Sequence, residues 1–332
     1  MINIVFLFAI FTVPTFFSVL MLSPKLRWIL VSLSFAIISS LRPKVGMDFE
    51  AYERAASRRD SYVELLFYYM EPLSAAFVWL GQLVSLEFML FWFALIYALG
   101  VFLPLLFLSK KSFLLYFFSL YCLPMGFLFS FDGIRQAGAI GLLMLSLAGT
   151  SKILALAAMT AHLSSFFIFT SAYFAKIKQK IFVGFFIGLI ICVGTYFLEY
   201  FFGMIWKYNS VEKSKFGGNI FILMGCIGFA SILIPKVFNL KNRENPTFKL
   251  AIYGQYFGAI LSGSSLAFVA PNYLVARLLY FFVPLTLFSI CYSIENSRVR
   301  QLLRICFLIA IFVIALLYWT NAAPHIKTSV FG

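Results

Sequence analysis

The run FMLFWFALIYALGVFLPLLFLS, Phe88–Ser109, is uncharged over about 20 residues, the length an α-helix needs to cross the hydrocarbon core of a bilayer. Similar runs recur along all 332 residues. The long ones are Met1–Pro24, Ser112–Phe131, Ile153–Ala175, Phe216–Pro235, Leu250–Ala276 and Ile305–Ile326, and the shorter ones are Trp28–Leu41, Pro72–Leu86, Gln136–Ser151, Ile181–Leu198 and Leu278–Ile294. The pattern predicts an all-α polytopic integral membrane protein with about ten or eleven transmembrane helices, forming a single domain over residues 1–332.

The composition supports this prediction and excludes a soluble enzyme. Apolar residues make up 63% of the chain and charged residues 11%, too few to cover a water-soluble surface of this size. The 5 cysteines lie singly in apolar runs, so neither a disulfide framework nor a zinc site is indicated. No repeat of fixed period is present, which disfavours a transporter built from two matching halves.

The charge pattern sets the expected orientation. With both termini outside, nearly all of the net charge of +14 falls on the cytoplasmic loops. The outer side then holds a loop with juxtamembrane helices, residues 42–72, and a second loop, residues 203–218. This orientation gives one membrane crossing too many between the loops, so we expect part of residues 134–175 not to span the bilayer. Either the segment after Arg135 lies at the outer interface, or Ile153–Ala175 breaks near Ala161 and His162 into two half-helices.

The first outer loop reads RPKVGMDFEAYERAASRRDSYVELLFYYMEP, Arg42–Pro72. Its aromatic and aliphatic residues favour one or two short helices at the level of the lipid headgroups. Asp48 is a plausible helix N-cap, and Tyr52 falls on the same helical face four residues later. A purely interfacial helix with a solvated charge pattern is the alternative.

Three further positions combine polar chemistry with apolar surroundings. Arg135 and Gln136 enter an apolar segment in FDGIRQAGA, where an arginine faces a cavity or a partner, although Asp132 could simply neutralise it. Arg277 has no acid within a helical turn and shares a face with Tyr280, a donor pair suited to phosphate. Snorkelling to the interface is its alternative.

His162 in AHLSS is the weakest candidate, since one histidine can merely hydrogen-bond a neighbouring helix. The outer-side topology nevertheless gathers several of these charged residues toward one face, namely Arg42, Asp48, Glu71, Arg135 and Arg277. Such a group suits a lipid-linked anion, because arginines can neutralise a pyrophosphate leaving group while a carboxylate takes the proton of an attacking hydroxyl.

At these residues the sequence resembles the EpsG-like branch of the Wzy-type polysaccharide polymerases. The resemblance rests on VGMDFEAY (Val45–Tyr52) followed by Glu71-Pro72, on IRQAGAIGLLMLS (Ile134–Ser146) and on AAMTAHLSSFFIF (Ala157–Phe169). Arg277 with Tyr280 is similar to a later arginine block of that group.

The resemblance implies a glycosyltransferase with a GT-C-like core and a periplasmic active site in the bacterial inner membrane. Growing glycan on undecaprenyl diphosphate would be transferred to the non-reducing end of a lipid-linked repeat unit. Asp48, Glu71 and His162 would be catalytic, and the substrate would contact Arg42, Tyr52, Arg135, Gln136, Arg277 and Tyr280. No cofactor is expected, although Asp48 and Glu50 could share a divalent metal. The bilayer, a chain-length regulator and a flippase are the expected partners, and nucleic acid is not.

Other functions remain open from the sequence. An O-antigen ligase uses the same chemistry, but a large outer loop would be expected in its second half. A polysaccharide flippase or transporter would scatter charged residues through both halves of the chain. A membrane O-acetyltransferase would use His162 and Arg135 on an acyl donor.

Overall fold

The computed structural model describes residues 2–42, 49–122, 133–149, 151–202, 219–237, 246–265 and 278–321. Over these residues the regular structure is helical throughout, with 15 α-helices and no strand, as the sequence predicts. The helices are α1 (Ile2–Val19), α2 (Pro24–Ser40), α3 (Phe49–Ser57), α4 (Tyr62–Tyr69), α5 (Pro72–Leu83), α6 (Leu86–Val101), α7 (Lys110–Cys122), α8 (Ile134–Leu147), α9 (Lys152–Ala161), α10 (Ser164–Ala172), α11 (Lys180–Phe202), α12 (Asn219–Val237), α13 (Pro246–Ser264), α14 (Val283–Glu295) and α15 (Arg300–Asn321). Two 3₁₀ helices, Leu103–Leu106 and Tyr173–Lys176, accompany them.

The chain divides into two compact units. The first unit comprises Met1–Phe117, Pro124–Phe169 and Ile326–Gly332, and the second comprises Phe118–Leu123 and Thr170–His325. Each unit has its own set of packed helices.

Helix length and composition give one clear membrane-span candidate among the described residues. This stretch, Leu278–Glu295, is 18 residues long, and 83% of it is buried inside the protein. Several other apolar helices are shorter, at 10–17 residues: Phe8–Val19, Pro72–Leu83, Leu86–Val101, Ile134–Leu147, Lys152–Ala161, Lys180–Gly194 and Phe221–Lys236. The number of spans expected from the sequence therefore stays a prediction.

Helix α6 is the centre of the first unit, where it packs against both α2 and α8. Gly100 on α6 and Gly141 on α8 allow the closest approach, because a Cβ on Gly100 would overlap the backbone of Gly141. Around this contact the rings of Phe35, Tyr97 and Phe102 are fully buried and pack against one another. The close contact holds α6 and α8 together in the middle of α8.

The first outer loop folds into two short helices, α3 and α4, which agrees with the one or two helices expected there. A capping box fixes the start of α4, since Ser61 accepts a hydrogen bond from the N–H of Glu64 while the Glu64 carboxylate accepts from the N–H of Ser61. Tyr52 on α3 and Leu65 on α4 join a hydrophobic core with Phe93 of α6 and Ile134 of α8. The loop is thus packed onto the first unit.

The apolar run Ile153–Ala175 is interrupted, as one of the two alternatives from the sequence required. Helix α9 ends at Ala161, His162 adopts an extended conformation (φ −159°, ψ 122°), and α10 begins at Ser164. The break leaves polar backbone groups that need partners. The hydroxyl of Ser74 on α5 supplies one, donating to the carbonyl oxygen of Ala161 over 2.7 Å.

The second unit is held together by contacts between small residues. Helix α13 packs against α11, α12 and α14. A Cβ on Gly188 of α11 would overlap the carbonyl oxygen of Ile260, and one on Gly228 of α12 would overlap that of Gly258. Small residues at helix interfaces let backbones approach closely, which is typical of helix packing in membranes.

Candidate functional site

The site is built around Glu71, which lies in the tight connection between α4 and α5. Met70 before it has φ 52°, the left-handed conformation that a non-glycine residue rarely adopts. Glu71 occupies the N-cap position of α5, yet its side chain makes no capping bond to that helix. The carboxylate is therefore available to other elements, and with 5% of the residue exposed it is directed into the protein.

Three segments that are distant in sequence meet at this carboxylate. Oε2 accepts a hydrogen bond from Nη1 of Arg135 over 2.7 Å. Oε1 accepts one from the backbone N–H of Leu163 over 3.3 Å, and Nδ1 of His162 lies 3.9 Å from the same oxygen. Glu71 thus fixes the start of α8 and satisfies a backbone donor at the break between α9 and α10.

Arg135 is held on several sides. Its guanidinium lies 4.8 Å from the centre of the Tyr69 ring, within the range of a cation–π interaction. The guanidinium also donates a hydrogen bond to the hydroxyl oxygen of Tyr52. The side chain keeps 29% of its surface exposed, so a ligand can still reach it. The preceding Gly133 has φ 49°, a conformation that favours glycine at this helix start.

The hydrogen bonding of His162 defines its tautomer. Nδ1 accepts the backbone N–H of Ser164 over 3.3 Å and therefore carries no proton in this arrangement. A neutral ring must then carry its proton on Nε2. The interaction between His162 and Glu71 is consequently a proximity of polar groups and not a hydrogen-bonded ion pair.

Burial changes the ionisation of the carboxyl and phenol groups. Desolvation raises the pKa of Glu71 above its ordinary value of 4.5, and the charge of Arg135 together with the N–H of Leu163 opposes this only in part. Desolvation likewise raises the pKa of Tyr69 to about 12, so its hydroxyl stays protonated at neutral pH. In this environment Glu71 can gain or lose a proton closer to neutrality than an exposed glutamate can.

Arg42 lies near the same end of the first unit but makes different contacts. It is 5% exposed, and its guanidinium lies 5.6 Å from the centre of the Phe49 ring. Together with Ser39 and Tyr97 it lines a small cleft. Ile134 and Ala137, in the first turns of α8, also line this cleft, which places Arg42 close to the helix turn that carries Arg135. Gln136, beside Arg135, is buried.

The remaining candidates from the sequence are Asp48, Arg277 and Tyr280. Asp48, Arg277 and the loop 203–218 lie outside the described residues. Tyr280 is described and buried within the second unit. Over the described chain no three His, Cys, Asp or Glu side chains group together as a metal site, and of the Asp48–Glu50 pair only Glu50 is seen, exposed on α3.

Sequence reasoning missed three parts of the site. Tyr69, Ser74 and the N–H of Leu163 each contact the Glu71–Arg135 pair or the helix break beside it. The one available signal was the expected break near His162, because interrupted helices need outside partners for their backbone groups. Asp132, suggested as the neighbour that neutralises Arg135, lies outside the described residues, and Glu71 makes the ion pair.

Fold and site together define the class as an all-helical protein, rich in apolar helices, that pairs a buried glutamate with a half-buried arginine beside an interrupted helix. The chain belongs to the EpsG family, whose model matches residues 25–328. This is a family of Wzy-like polysaccharide polymerases and glycosyltransferase-like membrane proteins, as the sequence resemblance indicated. No curated protein and no solved structure matches the chain.

Proposed function

We propose that the protein is a bacterial polysaccharide polymerase, spanning the inner membrane many times with its active site on the periplasmic side. Its substrates are two undecaprenyl-diphosphate-linked glycans, one that grows and one that brings a new repeat unit. The membership of the EpsG family supports the class of reaction. The observation that carries the site is the meeting of three sequence blocks at one buried carboxylate, through Glu71, Arg135 and Leu163.

The reaction is a glycosyl transfer without a cofactor. A hydroxyl oxygen at the non-reducing end of the new unit attacks the anomeric carbon of the donor glycan, and a carbon–oxygen bond forms there. The bond from that carbon to undecaprenyl diphosphate breaks, and the diphosphate leaves with the electron pair. A carboxylate takes the proton of the attacking hydroxyl. Charge-stabilising cations are needed at the leaving group, where negative charge develops.

Different residues bind the diphosphate, take the proton and orient the sugar. Arg135 contacts the diphosphate with its exposed edge, and Arg42 and Arg277 assist it, because guanidinium groups suit paired phosphate oxygens. Asp48 takes the proton, and His162 with Tyr52 orients sugar hydroxyls. Glu71, with a pKa raised by burial, acts as the second acid and at the same time fixes the orientation of Arg135.

A chain-length assay tests this function. The full-length protein and its variants are reconstituted with a defined lipid-linked repeat unit, and the products are separated by length. Asp48→Ala, Arg135→Ala and Arg277→Ala are each expected to abolish long polymer while the protein still inserts. Arg59→Ala removes an exposed arginine from the first outer loop and serves as the matched control, with an unchanged ladder. Wild-type ladders from two of the first three variants would refute the site.

Deletion of the gene separates polymerisation from ligation. Loss of a polymerase leaves single repeat units on the final carrier, whereas loss of a ligase leaves none. The proposal requires the first result.

A further inference from the structure

A second buried arginine in the first unit lies at the opposite end of α2 from Arg42. Arg27 is in the second turn of α2 and is 9% exposed, and its Nε and Nη1 atoms are enclosed without a hydrogen-bond partner among the described residues. A guanidinium stays charged at every accessible pH, so an enclosed one is costly unless an anion accompanies it. Arg27 therefore requires a counterion.

The described acids of the first unit lie away from this position. Within its sequence ranges the acidic residues lie between residues 48 and 87, apart from Asp132. Arg27 and Ser40 are separated by about 20 Å along α2, at the 1.5 Å rise of a helical residue. The indole of Trp28 donates to the carbonyl oxygen of Leu99 near the end of α6, whereas Glu87 is in the first turn of that helix, about 18 Å away. The described acids of the first unit therefore do not supply the counterion of Arg27.

Basic residues gather where this counterion would bind. Nζ of Lys110, at the start of α7, donates to the carbonyl oxygen of Val19 at the end of α1 over 2.7 Å. Lys25 lies exposed in the first turn of α2, where the helix dipole also favours an anion. Arg27 follows Lys25 by two residues at the same end of α2.

The surface beside these charges is apolar. Leu26 and Ile29 on α2 are 44% and 41% exposed, and Met21 in the turn before α2 is 99% exposed. Charged nitrogens bordered by exposed aliphatic side chains suit an amphiphile whose phosphate and hydrocarbon parts are adjacent. A free phosphate would use the cations alone.

We propose that Arg27, Lys25 and Lys110 bind the phosphate of an anionic membrane lipid at the face of the first unit opposite the Glu71–Arg135 pair. The site is separate from the proposed catalysis and needs only that the protein resides in a membrane, as its family does. The bound phosphate supplies the missing counterion of Arg27 and ties the start of α2 to one leaflet.

Lipid binding by the full-length protein tests this proposal. The protein is reconstituted in nanodiscs of phosphatidylcholine, with or without phosphatidylglycerol, and unfolding temperature and retained lipid are measured. Phosphatidylglycerol is expected to raise the unfolding temperature of the wild type by a few degrees, and Arg27→Gln is expected to weaken its retention about tenfold or more. Arg59→Gln removes an exposed charge and is expected to bind like the wild type.

A second variant and a second anion complete the test of the lipid site. Lys25→Gln changes an exposed residue that folding does not require, so reduced retention in this variant supports the site even if Arg27→Gln does not fold. Inorganic phosphate added in detergent separates the two sources of the anion. If phosphate alone gives the full shift and phosphatidylglycerol adds nothing, the lipid assignment is wrong. If Arg27→Gln and Lys25→Gln both retain the lipid like the wild type, no such site exists.

Discussion

The two units bury different chemistry. All the charged residues found buried in the described chain, Arg27, Arg42 and Glu71, belong to the first unit. Over its described residues the second unit buries no charged side chain, and its helices pack closely at glycines such as Gly188 against Ile260. Buried charges are costly and require partners, whereas glycines let helix backbones approach closely. A unit that retains such charges is the better candidate for binding and catalysis.

We therefore expect substitutions in the two units to differ in whether they lower activity or stability. Changes at the Glu71–Arg135 pair should act mainly on activity, because one partner remains accessible to a ligand. Changes at the glycine contacts should act mainly on stability. Activity per folded molecule and unfolding temperature are the two quantities that separate these effects.

The largest effect is expected at the ion pair of the first unit. Glu71→Gln and Arg135→Gln should each lower polymer formation by about 100-fold or more, because each removes one member of a group that acts as a unit. The double variant should be about as impaired as either single variant. A double-mutant cycle on initial rates measures this coupling. Losses that simply multiply would show that the two residues act independently.

The second unit should respond most strongly at Gly188. Gly188→Ala places a Cβ against the carbonyl oxygen of Ile260, and the backbone must shift at a cost of about 1–3 kcal/mol. Gly194→Ala on the same helix is the matched control, since a Cβ there has no described atom within 4 Å. Thermal unfolding in detergent measures the difference. Equal unfolding temperatures for the two variants would contradict the packing of α11 against α13.

Much of the helical architecture follows from the sequence because apolar runs and helix length obey simple rules. The two short helices of the first outer loop were predictable from their aromatic residues. The break at His162 was predictable as one of two alternatives, since charge on the flanking loops left one crossing too many. In each case the signal was local or additive along the chain.

The details of the site were not predictable in the same way. Glu71 pairs with Arg135 from 64 positions away, and sequence distance does not point to that partner. Similarly, nothing in the chain around Tyr69 reveals that its ring will lie under a guanidinium. Such contacts depend on how α4, α5 and α8 pack, which a single sequence does not encode in any periodic pattern.

The stability of the protein should depend on pH through the carboxyl group of Glu71. Because the pKa of Glu71 is raised, the folded protein binds this proton more tightly than the unfolded chain does. The protonated carboxyl therefore contributes most to the free energy of unfolding below pH 4.5, the ordinary pKa, and this contribution is lost as the pH rises through the raised pKa. The free energy of unfolding of the wild type relative to Glu71→Gln should therefore fall from acid to neutral pH. Unfolding temperatures across this range measure it, and a rising difference would mean that Arg135 outweighs burial.

The smallest effect is expected at Tyr69, whose ring packs against the guanidinium of Arg135. Tyr69→Leu removes the aromatic face 4.8 Å from the guanidinium and should lower activity about fivefold, corresponding to about 1 kcal/mol for a cation–π contact. Tyr69→Phe keeps the ring, and because the hydroxyl stays protonated up to a pKa of about 12, it should remain within about twofold of the wild type. Tyr68→Leu changes the neighbouring ring, which is 74% exposed, and is the control. If Tyr69→Phe lost as much activity as Tyr69→Leu, the phenol hydroxyl and not the ring would hold Arg135, and the first unit would depend on one more polar contact.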